Sequence, residues 1–352
     1  MGRAPSSSIV VNLSFYALLL RRYGATACME THMDRDTYTR ALERAVIADE
    51  RAAGRIFMHG RDRAALLHRL STNDIERLKP GEGALTALTT PIGRIIDLLT
   101  VHALDDALLI VTSPDQGPPV FKHLRHNIFF NDQVTLEAGG RTHAQLAMYG
   151  PQATRLIAEL TGAVINLPLH GITTAAIAGV NLLVARRKPI GGDSFTLYIP
   201  SNGYDAVYST LLAAGASPID GSTLDVLRIE QGYGAFGREL SEEYIPLETG
   251  LLDAVSFSKG CYVGQEIIAR MESRGRLAKR LCGLRLTQPV TSPAKLLCNG
   301  KDAGDLTSAA VSPRFGPIAL AYVRTVYAEP GTVVGVEGTG ATGRVVELPF
   351  AA

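Results

Sequence analysis

The sequence predicts an α+β protein that ends in a small antiparallel β-barrel. Three observations point there. The chain has 352 residues, enough for two or three domains and a sizeable core. Over residues 57–141 and again over 142–240, strand and helix patterns mix without the regular alternation of a doubly wound sheet. After Lys279 the helical patterns stop and short alternating strands recur. Glycine (35) and proline (18) are frequent, in keeping with many turns.

Asp36 is placed to cap a helix over 37–51, with Leu42, Ala45, Val46 and Ala48 on its partly apolar face. Residues 55–59 read as a strand. Gly60 then opens a helix over 61–70, where Leu66, Leu67 and Leu70 fall at helical spacing. The run Ser71-Thr72-Asn73-Asp74 stops it. Strands follow at 94–102 and 107–112, parted by the turn Asp105-Asp106. Pro118 begins another helix, and 133–137 is another strand. A strand at 144–149 breaks at Gly150-Pro151 before a helix over 152–160. Strands 180–186 and 195–199 pair through Gly191-Gly192. Ser201 or Asn202 caps a helix that points Tyr204, Val207, Leu211 and Leu212 inward. A helix over 223–231 places Leu224 and Leu227 on one face. The barrel strands read as 281–286, 294–298, 303–306, 318–323, 332–336 and 343–348. Asn299-Gly300 is a strong two-residue hairpin signal, and Gly338, Gly340 and Gly343 mark another turn.

Charge excludes one broad class of function. With 35 Lys+Arg against 34 Asp+Glu, the net charge of +1 does not suit a nucleic-acid coat or an acidic tail. Direct nucleic-acid binding is therefore not expected. The balance hides a local excess: Arg270, Arg274, Arg276, Lys279 and Arg280 face one Glu272. That segment reads as a solvated face or as a contact for an anion such as a polyglutamate tail, phosphate or RNA.

The apolar run at 9–20 is too short to span a bilayer, so no membrane association is expected. Ala25-Thr26-Ala27 keeps a secretory reading open. The preferred reading makes residues 1–33 a poorly ordered or misassigned extension, with Met29 and Met33 as alternative starts. The four cysteines, Cys28, Cys261, Cys282 and Cys298, form no CxxC and no zinc-ligand pattern. A reducing cytoplasm and no stable metal are expected.

The segment 243–280 is the least ordinary part. Within it, Lys259-Gly260-Cys261-Tyr262-Val263-Gly264-Gln265-Glu266 brackets a cysteine and a tyrosine with glycines, which sets the backbone on a tight course. Gln265 and Glu266 fall in the first turn of a helix, where a carboxylate suits the dipole. Lys259 and Arg270 are cations near Cys261 in sequence, and cations favour the nucleophilic thiolate. Cys261 is thus a reactive-thiol candidate beside the bland reading of a small buried hydrophobe. Cys28, Cys282 and Cys298 take the bland reading.

Residues 259–266 resemble the K-G-C-Y-x-G-Q-E signature of the YgfZ proteins, folate-binding relatives of the glycine-cleavage T-protein (aminomethyltransferase). Pro246-Leu247-Glu248 and Ala269-Arg270 also fit. Weaker likenesses run in order along the chain: Leu70-Ser71-Thr72-Asn73-Asp74-Ile75, Gly93-Arg94-Ile95-Ile96-Asp97-Leu98-Leu99, Leu227-Arg228-Ile229-Glu230-Gln231-Gly232 and the stretch 307–323. The resemblance implies a T-protein-like three-domain cloverleaf around a folate-sized opening. It divides the chain into a discontinuous first domain at 34–56 plus 142–250, a second at 57–141, a signature loop and linker at 251–279, and the barrel at 280–352.

The resemblance also implies a function: a tetrahydrofolate-binding accessory protein for assembly or repair of iron–sulfur proteins, with support of tRNA modification among its roles. Its partners would be iron–sulfur assembly factors or client iron–sulfur enzymes. Cys261 would be a redox or cluster-contact thiol. Asp97 falls where T-proteins carry the aspartate that acts near the folate N10. A carboxylate beside an amine can orient it or shuttle a proton. The T-protein pterin-anchoring glutamate falls on Thr196, and its tail-contacting arginine on Leu224; both are departures. Asp193 and Arg228 are the candidate substitutes for folate binding. Two rival readings stand beside this one: a folate-dependent aminomethyl transferase, and a protein adaptor without a ligand.

Overall fold

The computed structural model describes residues 33–275 and 277–351. The expectation for 1–33 lies outside the described residues except for Met33, as do Cys28 and Arg276. Helix α1 (Arg35–Glu43) and strand β1 (Val46–Asp49) lead into β2 (Ala53–His59), α2 (Arg63–Leu70), β3 (Gly83–Thr89), β4 (Ile95–Ala103) and β5 (Ala107–Pro114). Next come α3 (Gly117–His126), β6 (Thr135–Ala138), β7 (His143–Tyr149), α4 (Ala153–Thr161) and β8 (Ile172–Ile177). Strands β9 (Val180–Arg187) and β10 (Ser194–Pro200) precede α5 (Tyr204–Ala213), β11 (Ser217–Pro218), α6 (Gly221–Glu230) and α7 (Gln265–Arg274). The chain finishes with β12 (Lys279–Leu286), β13 (Ala294–Cys298), β14 (Lys301–Ser312), β15 (Gly316–Arg324), β16 (Val333–Val336) and β17 (Thr342–Val346).

These strands form three bodies. Six lie in the order β11-β1-β7-β10-β9-β8, five in the order β3-β4-β5-β2-β6, and six close a barrel in the order β12-β15-β14-β13-β16-β17. Every barrel pair is antiparallel. The hairpin at Asn299-Gly300 has φ of 50° and 74°, the left-handed pair that a two-residue turn needs.

The first helix is shorter than its sequence pattern suggests. Asp34, not Asp36, caps it, and its Oδ1 accepts the Asp36 amide at 3.0 Å. Residues 46–49, expected as its continuation, are strand. Val46 and Ile47 pair with β7 on one side and β11 on the other. Two-sided ladder pairing of β-branched residues outweighs a weak helical pattern. Strands β3 and β8 carry no clear sequence signal. Both are rich in threonine and alanine, so their alternation is shallow. Leu212 is exposed rather than inward.

Each open sheet buries one face under helices. Leu146, Phe195 and Leu197 pack against Leu156 and Ile157 of α4 and Val207 and Leu211 of α5. In the five-stranded sheet, Leu99, Val101 and Leu108 pack under Leu66 and Leu67 of α2 and Val120 and Leu124 of α3. The opposite faces meet each other through Leu109, Val111, Ile172, Ala185 and Tyr198. At about 25 cal/mol per Å² of apolar surface removed from water, these contacts dominate folding.

A polar network ties α6 to the barrel. Arg228 donates to Asp225 (2.7 Å), Glu239 (3.0 Å), Ser308 (2.8 Å) and the Tyr233 carbonyl (3.0 Å). Glu239 is 0% exposed and also accepts from Thr307 and Ser308 at 2.6 Å each. Removing Arg228 would leave a buried, uncompensated carboxylate. Arg228→Leu is expected to lower the unfolding free energy by about 3 kcal/mol in a denaturant titration. Arg228→Lys is expected to recover only part of that loss, because an ammonium lacks the planar fork that serves Asp225, Glu239 and Ser308 together.

Candidate functional site

The inner faces of the two sheets, residues 231–234, residues 249–251 and the edge of the barrel enclose a cavity of about 540 Å³. That volume suits a small organic ligand. Strand alternation decides which side chains reach it. Leu98, Thr100 and His102 of β4 line it, as do Thr196 and Tyr198 of β10. At the end of β9, Arg187 and Lys188 turn cations to the wall, whereas Arg186 has the opposite parity, beside Phe195 of the helix-covered face, and its guanidinium goes to Asp193 and the Leu167 carbonyl.

The strongest electrostatic feature was not visible in the sequence. Glu50 lies in the link between β1 and β2, and both its oxygens accept from Arg187 Nη1, at 2.8 and 2.9 Å. Gln145 Nε2 donates to Glu50 at 2.9 Å and the Tyr149 hydroxyl at 2.8 Å. Burial alone would raise the Glu50 pKa, but the Arg187 charge and these hydrogen bonds together hold it below the usual glutamate range. Glu50 keeps 20% of its side chain exposed and Arg187 29%.

Two histidines stand nearby. His102 spans from the His170 carbonyl at Nδ1 (2.9 Å) to the Tyr198 hydroxyl at Nε2 (3.0 Å). A carbonyl can only accept, so Nδ1 carries the proton and Nε2 accepts from Tyr198. Burial pushes both His102 and His170 down to about 4, so each ring is neutral at pH 7.

The predicted site residues are scattered. Asp97 does not line the cavity. It sits opposite Leu88 in the β3–β4 ladder, on the core side with Leu99 and Val101. Its carboxylate accepts the Leu98 amide at 2.9 Å and the Ser113 amide at 3.1 Å, which ties β4 to β5. Burial, opposed by those bonds, raises its pKa to about 6. Asp193 pairs with Arg186 at 2.9 Å and accepts from Thr154 at 2.7 Å, and is not itself among the lining residues. Arg228 is committed to the network that joins the barrel. Thr196 does line the cavity.

The signature loop forms a separate feature. Lys259 is buried, and its Nζ donates to the carbonyls of His68 (2.5 Å), Ser71 (2.7 Å) and Asn73 (2.7 Å) at the end of α2. Burial lowers its pKa to about 8, so it is protonated at neutral pH and has one proton for each carbonyl. None is left for the thiol. Tyr262 is buried beside it, with Lys259 Nζ 5.0 Å from its ring centroid, and burial pushes the phenol up to about 12. Gly260 and Cys261 are exposed, outside the cavity lining. Gly264 has φ of 85° and packs against Gly93; a Cβ there would meet the Thr90 carbonyl at 2.7 Å. Gln265 and Glu266 open α7, and exposed Glu266 pairs with Arg270 at 2.7 Å. Among the described residues, no group of three His, Cys, Asp or Glu side chains is placed to hold a metal ion. No described helix is long and apolar enough to cross a membrane.

The family model for the GCVT N-terminal domain matches residues 21–259. That for the glycine cleavage T-protein C-terminal barrel domain matches 279–351. A chloroplastic protein of Arabidopsis thaliana, named as a candidate transferase, is 34% identical over 87% of this chain and 71% of its own length. The aminomethyltransferase of Exiguobacterium sibiricum is 31% identical over 90% of this chain and 89% of its own. The solved structure of the glycine cleavage system aminomethyltransferase T from Bartonella henselae matches with a TM-score of 0.81 over 90% of this chain and 89% of that one. At 23% identity, that last likeness shows the fold. The expected T-protein-like architecture with a closed antiparallel barrel is borne out.

Two outcomes test the site geometry. The Glu50 pKa is depressed in the folded state, so its stabilising contribution is present above the unfolded value and is lost as pH falls through the folded one. Glu50→Gln is expected to cost about 2 kcal/mol at pH 7, moderated by the cavity exposure of both partners, and to flatten the fall of Tm in acid. A melting series from neutral pH into the carboxylate range checks this. Lys259→Met leaves three carbonyls without their donor. Amide exchange over residues 254–264 is expected to quicken about tenfold or more, measured by hydrogen–deuterium mass spectrometry.

Proposed function

The chain belongs to the glycine-cleavage T-protein family, and from that premise we propose that it binds tetrahydrofolate in the central cavity and transfers a one-carbon unit there. The observation that carries this reading is the cavity itself: about 540 Å³, walled by apolar side chains and by the cations Arg187 and Lys188. Its chemistry fits the ligand. Leu98, Val111 and Leu251 offer an apolar bed for a flat ring. Lys188, held to Asp253 at 2.7 Å, and Arg187, whose Nη2 and Nε are not taken by Glu50, suit the carboxylates of a glutamate tail. Buried polar atoms of Gln145 and His170 have no protein partner, as expected where a polar ligand completes the wall.

Bound tetrahydrofolate would supply the nitrogens that carry the one-carbon unit. The chain's own residues position it and exclude water. Glu50 and Arg187 fix the charge of one wall. The His102–Tyr198 pair, neutral at pH 7, fixes another. Asp97 lies on the core side of β4, outside the cavity lining, so the proposed transfer assigns it no contact with the ligand. The proposed transfer therefore relies on positioning more than on an aspartate base.

Calorimetry with the full-length protein should give micromolar tetrahydrofolate binding. Lys188→Ala should weaken it several-fold, as expected for one partly exposed charge pair. With an aminomethyl thioether donor, the protein should form methylene-tetrahydrofolate and release ammonia and free thiol. Binding without turnover over a range of donors would reject the transferase half of the reading. Absence of binding would reject all of it and favour a ligand-free adaptor.

A second reading rests on its own observation, the exposed Cys261 in the octapeptide 259–266. Here the protein is a cytoplasmic accessory factor for iron–sulfur proteins, and Cys261 exchanges electrons or contacts a cluster held partly by an assembly factor or client enzyme. One cysteine cannot supply a four-thiolate site alone. Complementing a YgfZ-deficient bacterium with wild type and with Cys261→Ala tests it. Equal rescue by both would remove the thiol from the function.

A further inference from the structure

We propose that His170 and Gln145 select the ligand of the central cavity by hydrogen bonding the polar edge of a neutral heterocycle, the amine-and-lactam edge of a reduced pterin. The inference rests on the folate reading above and names the residues that would enforce it.

Five buried side-chain polar atoms among the described residues lack a hydrogen-bond partner: Arg55 Nε, His68 Nδ1, Gln145 Oε1 and both ring nitrogens of His170. Three of the five belong to two residues of the cavity lining, Gln145 on β7 and His170 just before β8. Stranding polar atoms there costs stability, so their concentration at one place asks for a function. His170 is 8% exposed and Gln145 3% exposed, so bulk water does not satisfy them.

The two side chains are held in different ways, and both suit a reader. Gln145 Nε2 donates to the Glu50 carboxylate at 2.9 Å, which can only accept. That bond fixes the amide, so Oε1 is a fixed acceptor. His170 is anchored through its backbone instead. Its amide donates to the Arg186 carbonyl at 2.9 Å, and its carbonyl meets His102 Nδ1 at 2.9 Å. It sits at φ of 64°, in a region that non-glycine residues enter at a cost and that clusters at ligand sites. No hydrogen bond holds its ring. A turn about the ring torsion therefore brings a nitrogen to the lumen without breaking one.

The donor and acceptor inventory points to a class of ligand. Burial and the neighbouring Lys188 charge keep the His170 ring neutral at pH 7, so it offers one donor and one acceptor. Gln145 adds an acceptor. An edge bearing N–H donors next to a carbonyl oxygen satisfies all three. An anionic edge would satisfy the donor and be repelled by both acceptors. The cations of the β9 wall remain for the acidic tail of the same molecule.

The test uses the full-length protein and two probes, tetrahydrofolate and its 4-amino-4-deoxy analogue, in which the lactam oxygen is replaced by an amine. Wild type is expected to favour tetrahydrofolate by about tenfold, the worth of one or two neutral hydrogen bonds. His170→Phe and Gln145→Leu are each expected to lose about tenfold in tetrahydrofolate affinity and most of the discrimination. His170→Phe should melt no lower than wild type without ligand, because it removes orphaned polar atoms. Gln145→Leu provides an independent arm if the histidine variant fails to fold. Wild-type discrimination retained in both variants would overturn this inference and leave the folate reading intact. No wild-type binding of tetrahydrofolate would overturn both.

Discussion

One ion pair holds the inner face of the six-stranded sheet in place. The chain crosses from that sheet into the other through residues 50–52 and returns through 139–142, and Glu50 stands in the first crossing. Its backbone is committed on both sides, donating to the Gln145 carbonyl at 3.1 Å and accepting the Ala53 amide at 3.0 Å. Its side chain reaches Arg187 on β9, three strands away in the order β1-β7-β10-β9. At about 4.8 Å per strand the pair spans roughly 14 Å of sheet. Gln145 and Tyr149 of β7 fill the gap beneath it, and the Arg187 guanidinium lies 4.9 Å from the Tyr149 ring centroid. The strap fixes where both sheets meet and which polar groups the cavity presents.

What the sequence revealed and what it hid follow from the range of the forces involved. The barrel was legible because hairpins are local: alternating residues and Asn299-Gly300 encode pairing within a few residues. The helix stops and the buried Leu66, Leu67 and Leu70 were legible for the same reason. Residues 46–49 read as helix because their strand partners lie about 100 and 170 residues away, and no local pattern reports a ladder of that span. The cavity wall was hidden for the same cause. Glu50, His102, Gln145, His170 and Arg187 come from five separate segments, and no spacing links them. Strand parity does carry a local signal: it puts Asp97 on the side of Leu99 and Val101, two residues that a half-buried β4 buries.

Family membership and site chemistry therefore carry different weight here. The fold follows from apolar packing of two sheets and a barrel, and 31% identity to an aminomethyltransferase preserves it. The polar wall is a separate layer set on that frame. Thr196, where the T-protein resemblance implies a glutamate, is a cavity residue without a charge. The cavity's carboxylates are Glu50, already paired with Arg187, and the exposed Glu347 at the barrel edge. A ligand meeting the β9 wall finds cations that are already paired, Arg187 with Glu50 and Lys188 with Asp253, beside neutral donors and acceptors.

The exposed cysteine is joined to the cavity by a short, stitched segment. Thr249, Gly250 and Leu251 line the cavity. The Ala254 carbonyl then accepts from Thr72, and the Ser256 amide donates to the Thr72 carbonyl. Lys259 and Tyr262 point inward, while Gly260 and Cys261 between them stay exposed. Two buried anchors three residues apart leave the intervening thiol no inward route, so its exposure is built into the backbone course. The far end locks at Gly264 against Gly93, just before β4, which supplies Leu98, Thr100 and His102 to the cavity. Both ends of the loop thus abut cavity-forming elements. Lys259, bonded to the carbonyls of His68, Ser71 and Asn73, fastens the middle of this loop to the end of α2.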